Sequence, residues 1–179
     1  MTIPLKSISC ALLLTVALSV AAQPSPPAAP VKDAFLGRLA GNWDMKGTLG
    51  GKPVHYRAVG RWLLNNSWLC LTMMDVARPP AYAASVYFGF DAKADDYIAH
   101  WLDQFGAAGA RVVGTGRLEG DKLVLLFPYA EGAFRDTLSL AADGKSGTLL
   151  IESQSRDARW STFASYTLTR PGAPPAPRG

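Results

Sequence analysis

The sequence predicts an all-β chain, a single antiparallel meander of about ten strands closed into a β-barrel with one short helix before it. Three observations carry that expectation. Runs with an apolar-polar period of two follow one another from residue 42 to residue 169, as strands that send alternate side chains to opposite faces require. The joints are short and rich in turn residues, among them Gly50-Gly51, Asn65-Asn66, Arg78-Pro79-Pro80, Glu119-Gly120-Asp121, Glu131-Gly132, Asp143-Gly144 and Arg156-Asp157. No helical crossover separates the runs, so neighbours pair antiparallel, and such a sheet protects its edges most simply by closing on itself.

Taken in order, residues 32–40 place Phe35, Leu36 and Leu39 at helical spacing before Gly41, which suits a short helix with a glycine stop. It is too short to stand alone and must pack on the barrel. The strands are then expected over residues 42–49, 54–64, 68–76, 82–91, 96–103, 110–118, 122–129, 133–141, 148–153 and 159–169. The clearest pair is the hairpin formed by the fourth and fifth. Val86, Phe88 and Phe90 share one face of its first strand, while Tyr97, Ala99, Trp101 and Asp103 share one face of its second. Between them the charged segment from Asp91 to Asp96 turns the chain.

With 179 residues the chain suits one domain with a substantial core. Residues 1–22 carry Lys6, an apolar run from Ile8 to Val20 and small residues at Val20-Ala21-Ala22, the pattern of a secretory signal peptide. The run is short of the roughly 20 residues that a membrane span needs. Residues 23–31 form a Pro-rich linker, residues 32–170 the barrel domain, and residues 171–179 a loose Pro-rich tail. Export to the periplasm or beyond follows, with no transmembrane segment in the mature chain. Beyond the signal segment Cys70 is the single cysteine, so no internal disulfide forms, and its place in an apolar strand reads as a small buried hydrophobe. The net charge of +4 comes from scattered Lys and Arg without a basic stripe, which argues against nucleic-acid binding.

Gly41-Asn42-Trp43 opens the first strand after a helical segment, and Leu168-Thr169-Arg170 ends the last. This arrangement resembles the calycin superfamily. That resemblance implies that a basic residue from the final strand packs across the Trp near the closed end of the barrel. The wider sequence is similar to uncharacterised, mostly bacterial lipocalin-like domains of unknown function. The carriers are Leu39 to Trp43, Gly60-Arg61-Trp62, Tyr87 to Asp91, Tyr97 to Asp103, Gly114-Thr115-Gly116 and Trp160 to Arg170. The segment after Asp103 departs from the group's usual small residue and glycine, reading Gln104-Phe105-Gly106. The resemblance implies a fold and no agreed chemistry.

Few residues frame a reaction. His55 and His100 are the only imidazoles, with no metal-ligand spacing around them, so no metal site is expected. Haem, with one histidine as axial ligand, is disfavoured because Asp44-Met45-Lys46-Gly47 replaces the glycine-rich opening of haem-binding calycin-like proteins; no cofactor is expected. His100 and Asp103 could move a proton, yet three residues apart on a strand they point to opposite faces unless a bulge intervenes. Ser67, Ser85 and Ser161 lack a nucleophile elbow, so no catalytic residue is assigned. Gly114-Thr115-Gly116 leads into a strand, not a helix, which fits close packing better than phosphate binding.

A pocket argument remains. If Trp43 points inward, Met45 and Gly47 do too, and on the second strand Tyr56, Ala58, Gly60 and Trp62 form the apolar face opposite His55, Arg57 and Arg61. Small residues among aromatics leave room inside a barrel for a small hydrophobic or amphipathic molecule. Tyr56, Trp62, Met74, Phe88, Trp101 and Phe127 are the expected ligand-binding residues. Two other classes stay open: a barrel-cavity lyase or isomerase using His100 or Asp103, and a ligand-free interaction module with a filled interior.

Overall fold

The computed structural model describes residues 32–172. The expected signal segment, the whole of the expected linker and most of the tail lie outside the described residues. The Asp33 side chain accepts a hydrogen bond from the Leu36 amide at 2.7 Å, which caps helix α1 (Ala34–Leu39). The other carboxylate oxygen of Asp33 accepts from the Tyr97 hydroxyl at 2.9 Å, so the cap also ties the helix to the barrel wall. Phe35, Leu36 and Leu39 are buried on the barrel end, as their spacing demands. The helix ends at Ala40 in extended backbone, one residue before the expected glycine; Gly41 instead begins the first strand with a φ of +102°.

Ten strands follow: β1 (Gly41–Leu49), β2 (Lys52–Leu63), β3 (Trp68–Asp75), β4 (Ala83–Asp91), β5 (Asp96–Asp103), β6 (Val113–Glu119), β7 (Lys122–Phe127), β8 (Phe134–Leu140), β9 (Ser146–Gln154) and β10 (Trp160–Thr169). Each pairs antiparallel with its sequence neighbours, and β1 pairs with β10 to close the barrel. The sixth strand starts later than its sequence suggests, because Gly109–Arg111 takes one tight helical turn. No helix among the described residues is long and apolar enough to cross a membrane.

The seam between first and last strands is held by one side chain. The Arg170 guanidinium lies 3.6 Å from the centre of the Trp43 ring. It donates to the carbonyl oxygens of Gly144 at 2.9 Å, Asn42 at 3.2 Å and Arg38 at 2.9 Å. The Trp43 indole N–H in turn donates to the Leu39 carbonyl at 2.7 Å. Helix, first strand, the β8–β9 turn and last strand therefore meet at one point. A Cβ at Gly41 would stand 2.7 Å from the guanidinium, so the close approach requires glycine there.

Alternation sends Trp43 and Met45, Leu69 and Leu71, Leu123 and Leu125, and Leu168 into the interior, where they are fully buried. These side chains fill the half of the barrel nearest α1, and their burial supplies the main driving force for folding. Arg170→Ala removes a partly buried cation and three charge-assisted hydrogen bonds from the seam. It is expected to lower unfolding stability by about 2–4 kcal/mol in urea titration, with Arg170→Lys losing less.

Candidate functional site

The half of the barrel away from α1 is hollow. A cavity of about 700 Å³ opens at the end that carries the β1–β2, β3–β4, β5–β6, β7–β8 and β9–β10 connections. Its walls are mainly aromatic. Tyr56 of β2, Trp101 of β5, Phe127 of β7 and Tyr166 of β10 come from inward strand positions, and Tyr82, Tyr129 and Phe134 stand nearer the mouth. Tyr56 is the centre of a ring cluster, with Tyr82 and Tyr166 each 5.8 Å away between centroids.

Two local features shape this wall. Phe127 can lie flat against β6 because Gly114 has no side chain; a Cβ there would come 2.6 Å from the ring. Phe163 reaches the cavity through a bulge in β10, where the register with β9 slips between Thr162 and Ala164. An extra residue in one strand re-aims a side chain that plain alternation would send outward.

The polar groups of the cavity are hydroxyls and carboxylates. The Trp101 indole donates to the Tyr82 hydroxyl at 3.1 Å, and that hydroxyl faces Asp103 Oδ2 at 3.5 Å. Burial, more than the neighbouring charge, pushes the Tyr82 phenol up to about 12 and raises Tyr56 and Tyr166 as well. Asp136 is the outlier. It occupies an inward position of β8 between Leu125 and Ile151 of the flanking strands, with 5% of its surface exposed. Among the described residues burial alone acts on its carboxyl, and no fully enclosed side-chain oxygen lacks a partner, so the carboxyl opens onto the large cavity; the side chain also borders a small void of about 10 Å³ deeper in the core. Burial pushes this carboxyl up to about 7.

Of the six residues expected to bind a ligand, the cavity brings together Tyr56, Trp101 and Phe127. Phe88 points inward but lies one layer deeper, against the small void. Trp62 is half-buried against the core toward the α1 end and does not reach the cavity. Met74 corrects the expectation outright: it is 53% exposed on the outer wall, because Leu69, Leu71 and Met73 take the inward positions of β3. Sequence reasoning missed Asp136. Its signal was present in Phe134, Asp136, Leu138 and Leu140, a period-two inward face with one carboxylate in it.

His100 and Asp103 do separate, as their spacing requires. Asp103 lines the cavity, whereas the His100 ring nitrogen Nε2 is 2.7 Å from the Ala110 carbonyl outside it. His55 pairs with Asp44 on the outer wall. Among the described residues no three His, Cys, Asp or Glu side chains converge as metal ligands. Cys70 is buried, though on the outer side of the sheet, where Tyr87 and Ser85 cover its thiol and burial raises its pKa.

The Asp136 carboxyl gives stability a definite pH dependence. Below the ordinary aspartate value of 3.8 both folded and unfolded chains hold the proton, and burial costs no charge. Between there and about 7 the unfolded chain has released it while the folded chain keeps it, so stability falls as pH rises and the full loss is reached above 7. Asp136→Asn removes this loss. Urea titrations should show the variant gaining about 2–4 kcal/mol relative to wild type between about pH 4 and pH 8; a pH-independent difference would contradict the buried, unpaired carboxyl.

Neither a family model nor a curated protein matches the chain. Among solved structures, the crystal structure of Rv2717c from M. tuberculosis is similar, with a TM-score of 0.50 and 16% identity over 78% of this chain and 98% of that one. What this likeness shows is the fold, a closed antiparallel barrel.

Proposed function

We propose that this protein is an exported carrier or receptor that binds a small amphipathic molecule in the open half of its barrel. The observation that carries the reading is the division of the interior: leucines and Trp43 pack one half solid, while aromatic rings line about 700 Å³ of open volume in the other. A chain selected only for stability would fill that volume, since a cavity in a core costs packing energy. Aromatic walls with a few convergent polar groups are the usual composition of a small-molecule site. Export rests on the composition of residues 1–22. For the lyase or isomerase alternative, which called on His100 or Asp103, Asp103 lines the cavity and His100 lies outside it, so Asp103 is the group placed to move a proton there.

Ser153 of β9 is a small lining residue, and Ser153→Phe fills the cavity from its wall. Titration with Nile red, a neutral apolar dye, should show enhanced, saturable fluorescence with the wild-type protein. The variant should bind at least about ten-fold more weakly while its far-ultraviolet circular dichroism stays unchanged. Equal dye binding by both proteins would remove the cavity as the site.

A further inference from the structure

The cavity has a charge preference that runs against that of the whole chain. The formal net charge is +4, yet Asp75, Asp103, Glu131 and Asp136 line the cavity and, among the described residues, no Lys, Arg or His does. Three of these acids stand toward the mouth, at or beyond strand ends. Asp136 stands at the floor, its side chain buried, its carboxyl open to the cavity with no ion-pair partner among the described residues, and bordered by Trp101.

From this geometry we infer that the ligand is a cationic amphiphile, an apolar body carrying a protonated amine, whose ammonium group pairs with the Asp136 carboxylate at the cavity floor. The inference rests on the binding function proposed above and adds the chemical class of the ligand. A buried carboxylate without an ion-pair partner is costly, and an ammonium donating to it offsets that cost, while the ligand's apolar body, buried against the aromatic wall, compensates the desolvation of the ammonium. The rings of Trp101, Phe127 and Tyr166 offer π-faces to the same cation. The acids near the mouth favour entry of a cation and oppose a fatty acid or other anion. The groups that face Asp136 from neighbouring elements are the hydroxyls of Tyr129 and Tyr166; the Asp103 carboxylate lies against Tyr82 and Tyr129 on the same cavity wall. The inward positions of the flanking strands β7 and β9 next to it are Leu125 and Ile151.

Calorimetric titration of the purified protein with decylamine, decanol and decanoate at about pH 8 separates the possibilities, because the three probes share a chain and differ in head group. Decylamine should bind at least about ten-fold more tightly than decanol, and decanoate more weakly than either. Asp136→Asn should erase the preference for decylamine over decanol. In the wild type, decylamine affinity should fall about ten-fold or more from pH 8 to about pH 5, where Asp136 holds its proton and the amine keeps its charge, while decanol affinity stays level. The pH comparison decides the matter even if the variant does not fold. Decanol binding as well as decylamine at both pH values would overturn the amine assignment and leave the binding function standing. Failure of all three probes to bind would overturn the binding function itself.

Discussion

One guanidinium lying over one indole fixes how this barrel begins and ends. Arg170 meets Trp43 at the seam and spends its remaining donors on carbonyls of the helix, the first strand and the β8–β9 turn. Every inward position in the molecule depends on that closure. With β1 paired to β10, the alternation of each strand acquires a common inside, and a set of scattered leucines and aromatics becomes one interior.

That interior is not uniform, and the difference between its halves is what gives the fold a use. Near α1 the side chains are aliphatic or held by specific hydrogen bonds, and the helix covers the end. Away from α1 the same strands carry aromatic rings that pack on one another along the wall and leave the space between them open. Gly114 and the bulge at Phe163 widen and line that space by opposite means, one by removing a side chain and the other by redirecting one. Asp136 sits at the boundary between the two halves, where a carboxylate is most costly to folding and best placed to meet something that enters from the mouth.

Much of this was legible in the residues. Strand order, the turn chemistry and the opposed faces of His100 and Asp103 follow from a period of two, and the structure keeps them. Tyr56, Trp101 and Phe127 were reached by the same alternation. Met74 was not, because two adjacent methionines leave the phase of β3 ambiguous until Leu69 and Leu71 fix it. Trp62 and Phe88 have inward phase but the wrong depth, and depth depends on strand stagger, which no single strand records. Phe163 depended on a bulge with no mark in the local sequence. Which end lies open was likewise decided by where α1 docks.

The contact at the seam joins residues 132 positions apart, Arg38 and Arg170. A nascent polypeptide therefore cannot complete its enclosure until Arg170, 132 residues after Arg38, has been made. Up to that moment the rings and leucines have no common shelter, and their collapse must wait on the slow search that joins distant parts of a chain. The burden of this architecture thus falls on the interval between synthesis and closure, when its apolar strands depend on surroundings that discourage premature association.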